Sequence, residues 1–428
     1  MFYSKHTKSS FYYILALLWP FLSLIYTFRN IKSPWAKNVF WIVCIFMGFI
    51  QIYQPEGTIL GVGADSGRYV IKMQDMYYNV NSFSELSSKF YNGSTLDIYF
   101  TSLAYLISRF TTNGHVLYLV VALVFGFFYS RNVWYVIDRL PNKVSVTTLV
   151  LIGLLFLVCP IWSINGIRMW TALHMFVYGA MPFFIEGKKN KIWICIISLF
   201  VHHSFLFPIV LLLLYIFIPQ RFLYKKNTLL YVFIFYLFSL TVNQLNLESV
   251  NSILQNYLPN YYEDRIDSYV SENALISHNE SVSQHAWQTD FLPWLNDMVI
   301  QVFIFISFFT IKNNKRLYKG VLSLFIFSLL FYGISNIASN IPGGGRYIVL
   351  AKMLIVPIFI YVITYFPLDK FSKSILPILS FLLAVSLLFN LRVGFDYYGI
   401  MLLVGNFFSA PFVTSDIPLI DFIKQMLS

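Results

Sequence analysis

The chain has 428 residues, 58% of them hydrophobic and 11% charged, with 30 Lys and Arg against 19 Asp and Glu and a formal charge of +11. Soluble domains carry about 25% charged residues, so this composition excludes an ordinary soluble enzyme and describes a polytopic membrane protein. The surplus positive charge sits in short connectors between apolar runs, and no basic, aromatic-interleaved patch is left over. That distribution excludes a nucleic-acid partner and leaves the lipid bilayer as the surrounding phase.

A helix needs about 20 largely apolar residues to cross the hydrocarbon core, fewer where flanking side chains snorkel. Candidate spans in chain order are 11–28, 38–53, 115–136, 144–163, 167–185, 192–218, 228–242, 298–311, 320–340, 347–366 and 374–391, with a weaker one at 398–413. The runs are continuously apolar rather than alternating, and unpaired backbone is not tolerated in lipid, so the expected fold is an all-α transmembrane bundle of about 10–12 spans. One integral membrane domain, 1–428, is expected. The first run, Phe11 to Phe28, lacks a small-residue cleavage signature and is followed by Arg29 and Lys32, so it reads as a retained span. Cys44, Cys159 and Cys195 all lie inside apolar runs, which implies neither a disulfide framework nor a metal-binding CxxC.

The connectors give orientation. Arg29, Lys32 and Lys37, then Arg131, Arg139 and Lys143, then Lys188, Lys189 and Lys191, then Arg221, Lys225 and Lys226, then Lys312, Lys315, Arg316 and Lys319, and finally Lys370 and Lys373 hold 18 of the 30 basic residues. The positive-inside rule makes these turns cytoplasmic. Two long polar stretches read as outer loops: 54–97 has three basic and five acidic residues, and 243–297 has Arg265 against eight acids. For this topology to close, Ile98 to Phe110 is too short to cross and becomes an interfacial or re-entrant helix, which extends the first outer loop to 54–114. The run 192–218 has basic turns at both ends, so it must break near His202 and His203 and return.

Ionisable side chains at membrane depth are costly and face a wet or protein-lined cavity. Arg168 falls just inside the outer end of its span, Arg346 at the outer start of another, Lys352 six residues further on, and Arg68 in the outer loop. No Asp or Glu falls inside any assigned span. Cations without acidic partners call for an anion supplied from elsewhere, and the planar fork of arginine fits phosphate oxygens bidentately. Each residue also has an ordinary reading. Arg168 and Lys352 can snorkel to the interface; His174 can be a packed core imidazole; adjacent His202 and His203 point about 100° apart on an unbroken helix; Asp65 and Arg68 can belong to a simple turn. Gly343 to Gly345 read either as a helix-breaking turn or as an amide nest ahead of Arg346. No P-loop, HExxH or GxSxG is present.

In order along the chain, GVGADSGRY (61–69), GIRMWTA (166–172) and FVHHSFL (200–206) resemble the Gly-x-Asp-x-x-x-Tyr loop, Ile-Arg-x-x-x-Ala helix start and apolar-His-x-Ser segment of the Wzy-type O-antigen and capsule polymerases, most closely their EpsG-like branch. The long later outer loop agrees, and GGGRY (343–347) is a looser match. The resemblance implies polymerisation of oligosaccharide repeat units carried on undecaprenyl diphosphate at the outer face of the bacterial inner membrane. It implies Arg168 and Arg346 on the departing diphosphate, and His202 taking or orienting the acceptor hydroxyl proton. His203, Asp65, Arg68 and Tyr69 are implied to position substrate. It calls for no cofactor and no metal, since guanidinium charge can replace a cation on diphosphate, and for a chain-length regulator and a flippase as partners. A flippase or exporter of the same lipid-linked glycan would show an internal repeat, and none is evident. An O-antigen ligase or a glycan acyltransferase remain the enzymatic alternatives.

Overall fold

The protein is described by a computed structural model covering residues 5–53, 65–91, 98–219, 222, 226–242, 287–314, 319–341, 343–413 and 417–427. In chain order the helices are α1 (Lys5–Leu18), α2 (Pro20–Arg29), α3 (Ala36–Phe49), α4 (Asp65–Asn79), α5 (Phe83–Tyr91), α6 (Ile98–Ser108), α7 (Gly114–Ile137), α8 (Val146–Leu157), α9 (Ile167–Glu186), α10 (Ile192–Val201), α11 (Leu206–Phe217) and α12 (Lys226–Ser239). There follow α13 (Trp287–Asn313), α14 (Lys319–Ala338), α15 (Arg346–Tyr365), α16 (Lys370–Gly394), α17 (Met401–Val404) and α18 (Leu419–Leu427). Among the described residues no strand forms beyond a single antiparallel bridge between Gln51 and Tyr398. Among the described residues six stretches are long and apolar enough to cross a membrane unaided, so the chain is a membrane-embedded helical bundle with shorter and broken helices between them.

Helix boundaries follow local chemistry. Asn113, Ser145 and Asp369 cap α7, α8 and α16 by accepting the amides of His115 (2.8 Å), Thr148 (3.1 Å) and Ser372 (3.2 Å). Hydrogen bonds from Ser372 hold the Asp369 carboxyl below its ordinary range. Gly187 closes α9 in the left-handed region at φ 66°.

Three expectations are corrected. The run 11–28 is two helices, because Pro20 starts a new one after Trp19. The weak span at 398–413 does not form: only Met401–Val404 is helical there, and Tyr397 and Tyr398 instead pair with the backbone after α3. The third concerns 243–297. The chain is helical from Trp287 onward, so Asp297 lies inside a spanning helix; residues 243–286 lie outside the described residues.

Helices approach closely where glycine allows it, as expected when packing rather than hydrophobicity drives association in lipid. A Cβ on Gly48 of α3 would fall on the Ala122 Cβ of α7 and 2.5 Å from Tyr118 O; one on Gly126 would meet Cys44 Cβ at 2.7 Å. Gly48→Val is therefore expected to destabilise the protein by about 1–3 kcal/mol through overpacking, read as an earlier thermal transition in detergent. Unchanged melting would show that α3 and α7 separate more easily than this packing implies.

The basic connectors gather at one end. Lys32 donates to the carbonyls of Ile137 and Leu140, Arg139 pairs with Glu186, and Tyr365 donates to Arg139 O. Gly320 at the start of α14 abuts the carbonyls of Phe184 and Ile185. The run 192–218 reverses as the charge pattern requires. Along α10, Cys195 Sγ donates to Phe176 O, and Ser204 beyond its end reaches Met169 at the opposite end of α9. Then α11 retraces the path, with Phe205 at Phe176 and Tyr215 at Phe184 (ring centroids 6.0 and 5.6 Å). The turn between them lies at the end away from the basic connectors. Helix α6, about 16 Å long at 1.5 Å per residue, is too short to cross and packs on α4, α9 and α10.

Candidate functional site

At the end opposite the basic connectors, each sequence motif sits at the start of a helix. Pro160 and the tight turn Ile161–Gly166 interrupt the chain after α8, so that Arg168 becomes the second residue of α9. Asp65 opens α4, and Gly343 (φ 78°) turns the chain into α15, which begins at Arg346. His202, in extended conformation (φ −149°, ψ 119°), ends α10 and caps the turn His203–Phe205 that leads into α11. A helix start carries about half a positive charge from its dipole, which favours an anion.

Contacts link these starts one to the next. Arg168 Nε donates to the Tyr69 hydroxyl at 3.1 Å, with its guanidinium carbon 5.5 Å from the Tyr69 ring centroid. Tyr69 is buried, its ring 4.7 Å from that of Phe100 in α6. The first residues of α4 are fixed by Tyr118, whose hydroxyl donates to Ser66 O at 3.0 Å. Next to Arg168, Met169 receives the Ser204 hydroxyl at 3.6 Å. The Ser204 carbonyl in turn accepts the Tyr347 hydroxyl at 3.0 Å. Tyr69, Arg168, Ser204 and Tyr347 thus tie α4, α9, the α10–α11 turn and α15 together.

His202 is buried, and its Nδ1 accepts the Ser204 amide at 3.2 Å. A neutral imidazole has one acceptor nitrogen, so this bond assigns the proton to Nε2. In that tautomer His202 can donate to a substrate oxygen and cannot take a proton at Nε2, so the geometry favours the orienting role over the base. His203 is half-buried, its ring 4.8 Å from that of His202. Arg346 and Arg68 are exposed at the starts of their helices. The side chain of Asp65 and the residues 61–64 before it lie outside the described residues.

Other basic and imidazole groups separate from this site. Lys352 is paired with Asp297 of α13. The expectation that no carboxylate lies within a span therefore fails at this position, and Lys352 leaves the list of anion-seeking groups. His174 is fully buried, with Nε2 3.0 Å from Cys159 O and Nδ1 3.3 Å from Asn132 Nδ2, so it serves packing between α7, α8 and α9. The glycine turn is a turn: the amides of Gly344, Arg346, Tyr347 and Ile348 donate to nearby carbonyls, and a Cβ on Gly344 would strike Ala338 O.

Two positions were not singled out from sequence. Ser204 and Tyr347 are the joints of the site, and their only signal was adjacency, within His-His-Ser and Arg-Tyr.

No curated protein and no solved structure matches the chain. One family does, over residues 56–402, a segment that takes in α4, α9, the α10–α11 turn and α15. With the match covering most of its length and every helix start of the site, the chain belongs to the EpsG family.

Proposed function

We propose that this protein polymerises oligosaccharide repeat units carried on undecaprenyl diphosphate, for O-antigen or another surface polysaccharide, at the outer face of the bacterial inner membrane. Membership of the EpsG family supports a membrane-embedded, polysaccharide-related polymerase of the glycosyltransferase kind. The observation that carries the finer reading is the set of contacts through Tyr69, Arg168 and its neighbour Met169, Ser204 and Tyr347, which gathers four helix starts and the four arginine-bearing or histidine-bearing motifs at one end of the bundle.

In this reading the growing glycan leaves its lipid diphosphate and joins a hydroxyl of the next lipid-linked unit. The glycosidic carbon–oxygen bond to diphosphate breaks, a bond from the same carbon to the acceptor oxygen forms, and the hydroxyl proton ends on the released diphosphate or in water. Arg168, held by Tyr69, faces the charge that grows on the departing diphosphate, where a preorganised donor contributes most. Arg346 at the rim adds a second guanidinium, so positive charge is supplied without a metal ion. His202 donates from Nε2 to the phosphate or the acceptor sugar. Arg68 and Asp65 contact the glycan from α4, and His203 lies beside His202 to do the same.

Two substitutions at His202 test the role in cells lacking the chromosomal copy. His202→Asn keeps an acceptor for the Ser204 amide and removes the distant donor, whereas His202→Gln places an amide N–H near the former Nε2. The Asn variant is expected to accumulate single-unit chains, and the Gln variant to recover part of the ladder. A wild-type ladder from His202→Asn removes the histidine from the mechanism. Polymer retained on the carrier lipid, in place of single units, would identify a ligase.

A further inference from the structure

Two hollows adjoin at the end of the bundle where the basic connectors meet. The first, about 790 Å³, lies between the ends of α7 and α9, the start of α14 and the last turns of α15. Its depth is apolar, walled by Val321, Leu324, Pro357 and Ile358, and its mouth carries Arg139 and Glu186. The second, about 1270 Å³, lies between α13 and α16 and shares Asn314 and Pro367 with the first. Phe309, Phe371 and Ile378 in its wall are all more than half exposed, so it opens sideways toward lipid.

The mouth is electrostatically lopsided. Arg139 and Lys188 both pair with the one carboxylate of Glu186, the lysine at 2.6 Å, while their own side chains remain 45% and 56% exposed. Exposed Asp138, next to Arg139, faces Lys32, and Asp369 in the wall of the second hollow accepts the Ser372 amide, so the mouth keeps two cations against the one carboxylate of Glu186, with Lys189 exposed beside them. Arg139 is held in place by the Tyr135 ring, 3.6 Å from its guanidinium carbon. A charged rim at the membrane boundary, above an apolar chamber of ligand-sized volume that opens laterally to lipid, fits an amphiphile. It fits a soluble metabolite less well, since most of one would lie against Val321, Leu324, Pro357 and Ile358.

We propose that this paired hollow binds one anionic phospholipid of the adjoining leaflet, with its phosphate at Arg139 and Lys188 and its acyl chains in the two chambers. Entry is sideways, past Phe309 and Ile378. The site is at the far end of the bundle from Arg168, so it is independent of the polymerase reading. It would fill a gap between α9, α14 and α15, the helices that carry or brace the other end.

The test is lipid retention by the purified full-length protein in detergent, read by native mass spectrometry. Phosphatidylglycerol and phosphatidylcholine with identical acyl chains are offered together. Wild type is expected to hold one phosphatidylglycerol with about tenfold preference, the scale of one or two basic groups near an anionic head. Arg139→Gln with Lys188→Gln should abolish the preference, and Val321→Phe should lower retention of both lipids. Should Val321→Phe fail to fold, the wild-type competition and the charge variant decide. Equal retention of the two lipids, or a preference untouched by the charge variant, overturns the proposal. So does displacement of phosphatidylglycerol by equimolar polyprenyl phosphate, which would make this a carrier-lipid site, or a second copy of the chain in place of lipid.

Discussion

Arg168→Ala is expected to reduce polymer formation by about 10²–10³-fold, the usual cost of removing one preorganised donor from a developing oxyanion, with the protein still present in the membrane at wild-type amounts. The argument rests on place and partner. Arg168 is the second residue of α9, half-buried, and its Nε is engaged by the Tyr69 hydroxyl, so its orientation is fixed before substrate arrives. Arg168→Lys keeps the charge and loses both the fork and the Tyr69 bond, so it should fall between alanine and wild type. Tyr69→Phe deletes only the orienting hydroxyl and should cost less, about tenfold, one ordinary hydrogen bond. In the Arg168→Ala background Tyr69→Phe should then cost nothing more, because the residue it orients is gone. The measurement is the glycan ladder on a gel, normalised to protein in the membrane. Full-length chains from Arg168→Ala would remove the arginine from the site and, with it, the reading of the site as a diphosphate clamp.

The bundle and its two ends were legible because lipid imposes long apolar runs and charge is confined between them. Lys32, Arg139, Glu186 and Tyr365 meet as the connector pattern requires, and the break at His202 followed from basic turns on both sides of one run. The site was legible as an ordered set of short motifs. What joins them was not, since Ser204 and Tyr347 act through a backbone carbonyl and a hydroxyl that leave no mark on composition or spacing. The tautomer of His202 depends on a single amide two residues on, which only geometry supplies. Asp297 was misplaced for a different reason. The first ten residues of α13, WQTDFLPWLN, carry polar groups and Pro293, and so resemble a loop by hydropathy. They remain helical in the structure, and the acid that follows is brought to a partner in α15.

That pair gives the second large effect. Asp297→Ala is expected to destabilise the protein by about 1–3 kcal/mol, less than stripping a fully buried ion pair costs, because the acid itself is partly exposed. Lys352 is the more enclosed of the two, its side chain 14% exposed against 40% for Asp297. The asymmetry predicts an order. Removing the acid strands an ammonium that has little route to water, whereas Lys352→Met leaves a carboxyl that can take a proton and become neutral, at smaller cost. The double variant Asp297→Leu with Lys352→Met replaces two charges by apolar volume and should return most of the lost stability, since such replacements are often neutral. Function should follow the same order. Lys352 lies about 9 Å along α15 from Arg346, six residues at 1.5 Å each, and the pair ties α15 to α13. Its part is therefore to hold a helix in place, and the double variant should polymerise nearly as well as wild type while Asp297→Ala does not. Thermal unfolding in detergent and the glycan ladder together decide it. A double variant that melts like wild type yet makes no polymer would place the pair in the chemistry, and Asp297→Ala melting within a degree of wild type would mean that the ammonium finds water or headgroups on its own.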